Sequence, residues 1–193
     1  VAVFAIAGVL YETRSREARG RQAWRTEGGR PRQPDILLIT IDTLRADAAG
    51  FAGNSRVETP TLDRLAGQGL VFSNAHAHNV VTLPSHANIL TGLYPYQNGV
   101  RENGGFRLPS QIPTLATLLK AKGYATGAFV GAFPLDSRFG LNRGFDVYDD
   151  HYPKEGTILE FEMPERPAAD VIASAQKWYE GVGGRPRFLW VHL

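Results

Sequence analysis

Ile36-Leu37-Leu38-Ile39-Thr40-Ile41 is an apolar run of strand length, and Asp42 closes it. Apolar residues at consecutive rather than alternate positions suit a strand buried on both faces, as at the centre of a parallel sheet. In open sheets of that kind, ligands bind beyond the carboxyl ends of the strands. Asp42 stands at such an end. A carboxylate there can ligate a metal, although a lone strand-end Asp more often serves a turn or cap.

Outward from this run, strand and helix signals alternate. Thr59-Pro60 followed by Leu62 and Leu65 reads as a capped helix over 60–67, with both leucines inward and Gly67 and Gly69 ending it. Leu70 to His76 reads as a strand. Pro113 to Lys122 gives a helix with Leu115, Leu118 and Leu119 inward and Gly123 just past its end. Tyr124 to Val130 gives a strand. Pro167 to Gly181 gives a helix presenting Val171, Ile172, Ala175 and Tyr179 on one side, and Arg187 to Leu193 a buried-type strand. A further helix is expected over 84–92. Alternation of this kind predicts an α/β fold, a doubly wound, mostly parallel sheet with helices on both faces.

Composition narrows the chemistry. The 193 residues suit one domain with a proper core, and 43% hydrophobic with 21% charged content is ordinary for a globular protein. No cysteine is present, which excludes disulfides, thiolate zinc sites and cysteine nucleophiles without fixing the compartment. The net charge of +2 is uneven: residues 1–32 carry seven Arg against three Glu, and the remainder is slightly acidic. No basic stripe with interleaved aromatics occurs in the body, so no nucleic-acid partner is expected.

The segment Asn79-Val-Val-Thr82-Leu-Pro84-Ser-His86-Ala-Asn-Ile-Leu-Thr-Gly92-Leu-Tyr-Pro95 carries the chemistry. Pro84 fits a helix's first turn, Ile89, Leu90 and Leu93 recur at helical spacing, and Gly92 with Pro95 stops the helix. Thr82 therefore sits at a helix N-terminus, where free N–H groups and the dipole favour an anion. A hydroxyl held there can attack an anionic ester when a metal assists; taken alone, it merely caps the helix.

Thr82-Leu-Pro-Ser-His86 followed by Thr91-Gly-Leu-Tyr-Pro95 resembles the nucleophile segment of the sulfatase and alkaline-phosphatase superfamily. Its Thr-x-Pro-x-His form is similar to the nucleotide pyrophosphatase/phosphodiesterase branch. Asp42-Thr-Leu-Arg-Ala46 resembles the first metal-ligand motif, with Thr43 where sulfatases often carry a second Asp. Gly99-Val-Arg-Glu-Asn103 resembles the phosphodiesterase pattern whose Asn grips a substrate oxygen. Phe139-Gly-Leu-Asn-Arg-Gly-Phe-Asp-Val-Tyr-Asp-Asp150 looks like the Gly-Phe-Asp region of bacterial sulfatase-like proteins, and by itself reads as a surface turn. The resemblance covers about 35–193, the first part of the fold; relatives draw further Asp and His ligands from later sequence.

That resemblance implies a metal-dependent hydrolase of sulfate or phosphate esters. Thr82 would be the nucleophile, Asp42 and Thr82 would share a divalent metal (zinc or manganese in preference to calcium), and Asn103 would hold the ester. His86 would steady the loop rather than titrate. No formylglycine is expected, because Thr82 stands where that chemistry needs Cys or Ser. The residues 1–193 alone are expected to be inactive. Other classes fit too: a non-catalytic binding protein on the same fold, or a membrane-anchored transferase of phosphoryl head groups. His76 and His78 alternate with alanines, but solvent-facing or hydrogen-bonded roles outweigh ligation for them.

Residues 1–11 form an uncharged apolar run, expected to be the tail of a signal peptide or membrane anchor. Residues 12–34 are an Arg-rich linker, leaving 35–193 as the catalytic portion. The Arg excess argues for a cytoplasmic flank, whereas the resemblance argues for an extracytoplasmic protein with possible membrane anchoring at its N-terminus; the latter is the expectation adopted. Oligomeric state is not legible.

Overall fold

The structure, a computed structural model, describes residues 33–152 and 165–193, together with the backbone of three short strands before them. The elements in chain order are β1 (Phe4–Val9), β2 (Thr26–Glu27), β3 (Arg30–Pro31), β4 (Ile36–Ile41), α1 (Pro60–Gln68), α2 (Thr82–Thr91), α3 (Pro95–Asn98), α4 (Leu115–Ala121), β5 (Ala125–Val130), β6 (Val147–Asp149), α5 (Ala168–Gly181) and β7 (Arg187–His192). Five strands form one sheet in the order β1-β4-β7-β5-β6, and β2 with β3 forms a separate antiparallel ribbon. Among β4, β7, β5 and β6 every pairing is parallel, and β1 lies antiparallel on the edge.

Both faces of the sheet are covered, and the two-residue period of a strand sorts the side chains between them. Leu38, Phe188, Trp190, Ala128 and Val130 join Leu83, Ala87 and Leu90 of α2 and Ala116 and Leu119 of α4 in one core. Leu37, Leu189, Val191 and Phe129 face the other way, onto Val171, Ala175 and Trp178 of α5. Helices on both faces thus confirm the doubly wound reading. Gly127 makes the α5 side possible: a Cβ on it would meet the Trp178 ring at 2.8 Å.

At the amino ends of the strands, Asp35 ties three elements together. Its Oδ1 accepts the Arg187 backbone N–H at 2.7 Å, and its Oδ2 accepts from the Arg187 guanidinium at 3.0 Å and the Tyr179 hydroxyl at 2.8 Å. The Arg187 guanidinium also lies over the Tyr179 ring, 4.4 Å from its centroid.

Expectations change at residues 70–76, in α1 and α4, and at Val147–Asp149. Residues 70–76 form no strand; Leu70 is 88% exposed and Phe72 77%. Strand-forming residues there find no neighbouring strand to bond. Helix α1 forms as expected but buries no residue, and Leu118 of α4 faces solvent. Val147–Asp149, read as a turn, is β6, paired with β5 on one side only. Tyr148 fixes it by packing beside Phe145 and Trp190 and by donating its hydroxyl to the Leu135 carbonyl at 2.6 Å. Within the apolar run 1–11, Phe4–Val9 is the edge strand β1; the rest of that run, most of 12–34 and residues 153–164 lie outside the described residues. Among the described residues no helix is long and apolar enough to cross a membrane.

Candidate active site

The site forms where β4 ends and α2 begins. Asp42 follows the last residue of β4, and its backbone N–H donates to the Leu193 carbonyl at 2.8 Å, which extends the β4–β7 pairing to the sheet's rim. Thr43 then turns the chain with φ +51, the one positive value at a non-glycine among the described residues. For a β-branched residue that conformation is strained. It carries the Thr43 N–H onto Asp42 Oδ1 at 2.8 Å, leaving Oδ2 to face the nucleophile loop.

Val81 is the N-cap of α2 and Thr82 its first residue; Gly92, in the left-handed region at φ +68, ends it. Leu83, Ala87 and Leu90 bury their side chains against the sheet, which fixes the helix start over the end of β4. The Thr82 hydroxyl donates to Asp42 Oδ2 at 3.1 Å. The two expected metal-site residues, forty positions apart, therefore touch. Ser85, the motif's other hydroxyl, is buried and donates to the Asn79 carbonyl at 2.9 Å, so Thr82 is the hydroxyl free to act.

Asn103 sits beside the same helix start. Its Oδ1 accepts the Leu83 N–H at 2.8 Å, which turns the amide NH₂ away from the helix and leaves it without a partner among the described residues. This also thins the expected anion cradle. The Leu83 N–H is taken, Pro84 has none, and the Ser85 N–H bonds the Val81 carbonyl at 3.0 Å. What the helix offers an anion is chiefly Thr82's own N–H and the dipole.

His86 lies one turn into α2, fully buried, with Nδ1 donating to the Thr82 carbonyl at 2.7 Å. Burial pushes its pKa down, against the opposing pull of the Thr82 hydrogen bond and the Asp42 charge. A neutral ring holding the Thr82 carbonyl fits a steadying role. His76 and His78 are both exposed, and His78 packs against the Tyr94 ring 4.3 Å away.

Three neighbours escaped the sequence reading. His192, at the end of β7, is fully buried with its ring 4.7 Å from that of His86 and its Nε2 3.9 Å from Asp42 Oδ2. Its Nδ1 lies 2.9 Å from Thr40 Oγ1, which also accepts the Trp190 indole N–H at 3.1 Å. Their signal was available: Thr40 and His192 are the polar positions inside otherwise apolar strands.

Among the described residues no cluster of three or more His, Cys, Asp and Glu could hold a metal ion. Asp42 Oδ2 and Thr82 Oγ1, at 3.1 Å, nevertheless have the spacing of adjacent ligands on one ion bound at roughly 2.0–2.2 Å. The pair fits part of a coordination shell. A largely apolar groove lined by Leu37, Ile39, Ile172, Val191 and Leu193 lies on the opposite, α5 face; its charged lining residues, Asp35 and Glu180, are acidic and would repel an anionic ester.

The sulfatase family profile matches residues 34–193. An N-acetylgalactosamine-6-O-sulfatase of Bacteroides thetaiotaomicron is 36% identical over 147 residues, covering 71% of this chain and 28% of that protein. An ulvan-active sulfatase of Formosa agariphila is 41% identical over 106 residues, covering 55% and 20%. The chain thus spans about a quarter of the length of such relatives. A structure solved with its substrate D-glucosamine-2-N,6-O-disulfate superposes with a TM-score of 0.68 at 25% identity, covering 83% of this chain and 34% of that one. The phosphonate monoester hydrolase of Agrobacterium radiobacter, at 22% identity, shares the fold with a TM-score of 0.67, covering 83% and 40%. A parallel sheet whose first strand delivers Asp42 to the start of the Thr82 helix, matched by that profile over nearly all of its described length, places the chain in the sulfatase family.

Proposed function

We propose that the full-length protein is a metal-dependent hydrolase of anionic sulfate or phosphate esters, with Thr82 as nucleophile and a preference for phosphate. The observation that carries this reading is the 3.1 Å contact from Thr82 Oγ1 to Asp42 Oδ2 at the carboxyl end of β4. Asp42 and Thr82 would hold a divalent metal, zinc or manganese in preference to calcium, with further ligands from outside this chain. When bound, that ion would lower the pKa of the Thr82 hydroxyl and offset the charge of the ester.

The chain's own residues do the rest. Asp42 Oδ2 accepts the hydrogen bond of the Thr82 hydroxyl, so the hydroxyl is oriented before substrate arrives; the proton it loses goes to water, and the departing alcohol oxygen takes one up. Thr82 Oγ1 forms a bond to phosphorus or sulfur as the ester alcohol departs, and water then cleaves the bond to the transferred group. Asn103, its Oδ1 occupied by the Leu83 N–H, turns its NH₂ to an oxygen gaining negative charge. His86 keeps the Thr82 backbone fixed through the turn.

Preference for phosphate follows from what Thr82 lacks. A formylglycine hydrate releases sulfate by expelling it from a second hydroxyl on the same carbon, and Thr82 has only one. Its ester must be opened by water attacking the transferred group, a displacement that metal ions clamp well for phosphoryl groups. The test is kcat/KM of the full-length protein for nitrophenyl phosphodiester, phosphomonoester and sulfate substrates, with zinc, manganese and calcium in turn. Fastest turnover is expected on a phosphate ester with zinc or manganese; sulfate turning over fastest with every metal contradicts the preference. Extracytoplasmic location with an N-terminal anchor belongs to the same proposal, and fractionation of cells producing the full-length protein tests it.

A further inference from the structure

One strand face changes character at the rim of the sheet. On β4 the positions turned toward α2 run Leu38, Thr40 and then Asp42; on β7 they run Phe188, Trp190 and His192. In the parallel register Thr40 lies directly beside His192, and Leu38 beside Trp190. Apolar packing thus gives way to a column of polar groups in which Thr40 and His192 are fully buried, ending at the partly exposed Asp42.

The direction of each hydrogen bond in this column follows from what each group can do. Indole N–H only donates, so Trp190 gives its proton to Thr40 Oγ1. Thr40 has one proton of its own, is fully buried and among the described residues meets no acceptor besides His192 Nδ1, at 2.9 Å. Were His192 to donate instead, the Thr40 proton would be buried without a partner, an arrangement folded proteins avoid. Thr40 therefore donates to Nδ1, and the proton of the neutral imidazole sits on Nε2. That Nε2 is buried, has no hydrogen-bond partner among the described residues and lies 3.9 Å from Asp42 Oδ2, longer than a hydrogen bond. Burial, reinforced by the neighbouring His86, pushes the His192 pKa down, in line with a neutral ring.

We propose that Trp190, Thr40 and His192 form a positioning relay that aims an Nε2–H at Asp42 Oδ2 and supplies that oxygen with a donor when the Thr82 proton leaves. In the present arrangement Oδ2 is served by Thr82. Once Thr82 gives up that proton, the carboxylate loses the donor that orients it, and the waiting Nε2–H is the nearest replacement. His192 acts through Asp42 and touches neither ester nor leaving group. The proposal rests on the assignment of Asp42 and Thr82 to the site, but its first test does not.

That test is the tautomer of His192 in the full-length, ¹⁵N-labelled protein, read from long-range ¹H–¹⁵N correlations and assigned with His192→Gln. Nε2–H is expected in the unsubstituted protein, and Thr40→Val, which keeps the shape and removes the donor, is expected to move the Nδ1 resonance to that of a nitrogen accepting no hydrogen bond. An Nδ1–H tautomer in the unsubstituted protein overturns the relay whatever the enzyme does; an Nε2–H ring in a protein that cleaves no ester leaves the relay and sinks the hydrolase reading. The second test compares His192→Gln, which keeps an N–H near the Nε2 position, with His192→Leu. Leu is expected to lower kcat and zinc affinity, the latter by calorimetry, about tenfold or more with KM little moved, as losing a partner behind a metal ligand typically does. Gln is expected to keep most of both. Equal losses in the two variants, in step with their melting temperatures, overturn the proposal.

Discussion

The two ends of the β4–β7 pair are built to opposite specifications. At the amino end, both Asp35 oxygens are occupied by Arg187 and Tyr179, and the cluster joins β4, β7 and α5 with ordinary backbone geometry. At the carboxyl end, Thr43 is strained at φ +51, and His86 and His192 each bury an Nε2 that finds no partner. Saturated polar groups add stability, whereas unmet buried polar atoms and strained backbone cost it. Strain and unmet polar atoms kept together at one rim are what a functional site often shows, in line with the proposed placement of the chemistry there. The amino end is a clamp and the carboxyl end a site.

The largest effect that could break this contrast is loss of the nucleophile. Thr82→Ala in the full-length protein is expected to lower kcat by about 10⁵-fold, in the range typical of a missing nucleophile. Its melting temperature should fall by no more than about 4 °C, because one partly exposed hydrogen bond of about 1 kcal/mol is lost. Steady-state rates beside a thermal melt measure both. Activity within tenfold of the parent would move the chemistry away from Thr82.

Next in size is Asn103, which supports α2 with one end of its amide and is assigned to substrate with the other. Asn103→Asp keeps an acceptor for the Leu83 N–H and places a charge the helix dipole favours, so stability should hold. The NH₂ is gone, and kcat should drop about 10²-fold. Asn103→Ala should show that loss together with about 1 kcal/mol of destabilisation from the missing cap. An Asp variant of full activity would return Asn103 to a purely capping role.

Acid sharpens the contrast further. Burial holds His86 and His192 neutral, both below the ordinary imidazole range. In the unfolded chain each takes a proton near pH 6.5, so the unfolded state binds more protons below that pH and stability falls as pH drops. The slope is up to about 1.4 kcal/mol per pH unit for each ring. Urea unfolding of metal-free protein at pH 7.5, 6 and 5 should show that decline, and His192→Gln should remove about half of it. A flat profile between pH 7 and 5 contradicts the buried neutral pair.

How much of this was legible in the sequence depended on whether a residue's role is local. Asp42, Thr82, His86 and Asn103 sit in strings with helix and strand boundaries around them, and the structure brings Thr82 against both Asp42 and the Asn103-capped helix start. Thr40 and His192 stood out as polar positions in apolar strands, but their role, with that of Trp190, arises from lateral register between strands 150 residues apart, which a linear reading does not carry. Residues 70–76 misled for the converse reason. Leu70-Val71-Phe72 has strand propensity, but propensity forms a strand only beside a partner, and none lies there among the described residues. At β6 the acidic residues suggested a turn, yet an edge strand needs only one paired side and one packed residue, which Tyr148 supplies.

The account stands most directly on one paired measurement: kcat and melting temperature of full-length Asp42→Asn and Asp35→Ala, made together. Asp42→Asn should lose more than about 10²-fold in kcat, since a carboxylate ligand counts for at least as much as the groups behind it. Its melting temperature should stay within about 2 °C, because Asp42 is partly exposed and strained surroundings give little to lose. Asp35→Ala should do the reverse. Loss of hydrogen bonds to a charged group costs about 2 kcal/mol, or roughly 4–8 °C in a domain of this size, with kcat nearly unchanged. Opposite losses in the two variants are the predicted result; an active Asp42→Asn enzyme, or two variants that lose stability and activity in parallel, would contradict the division of the sheet into a clamp and a site.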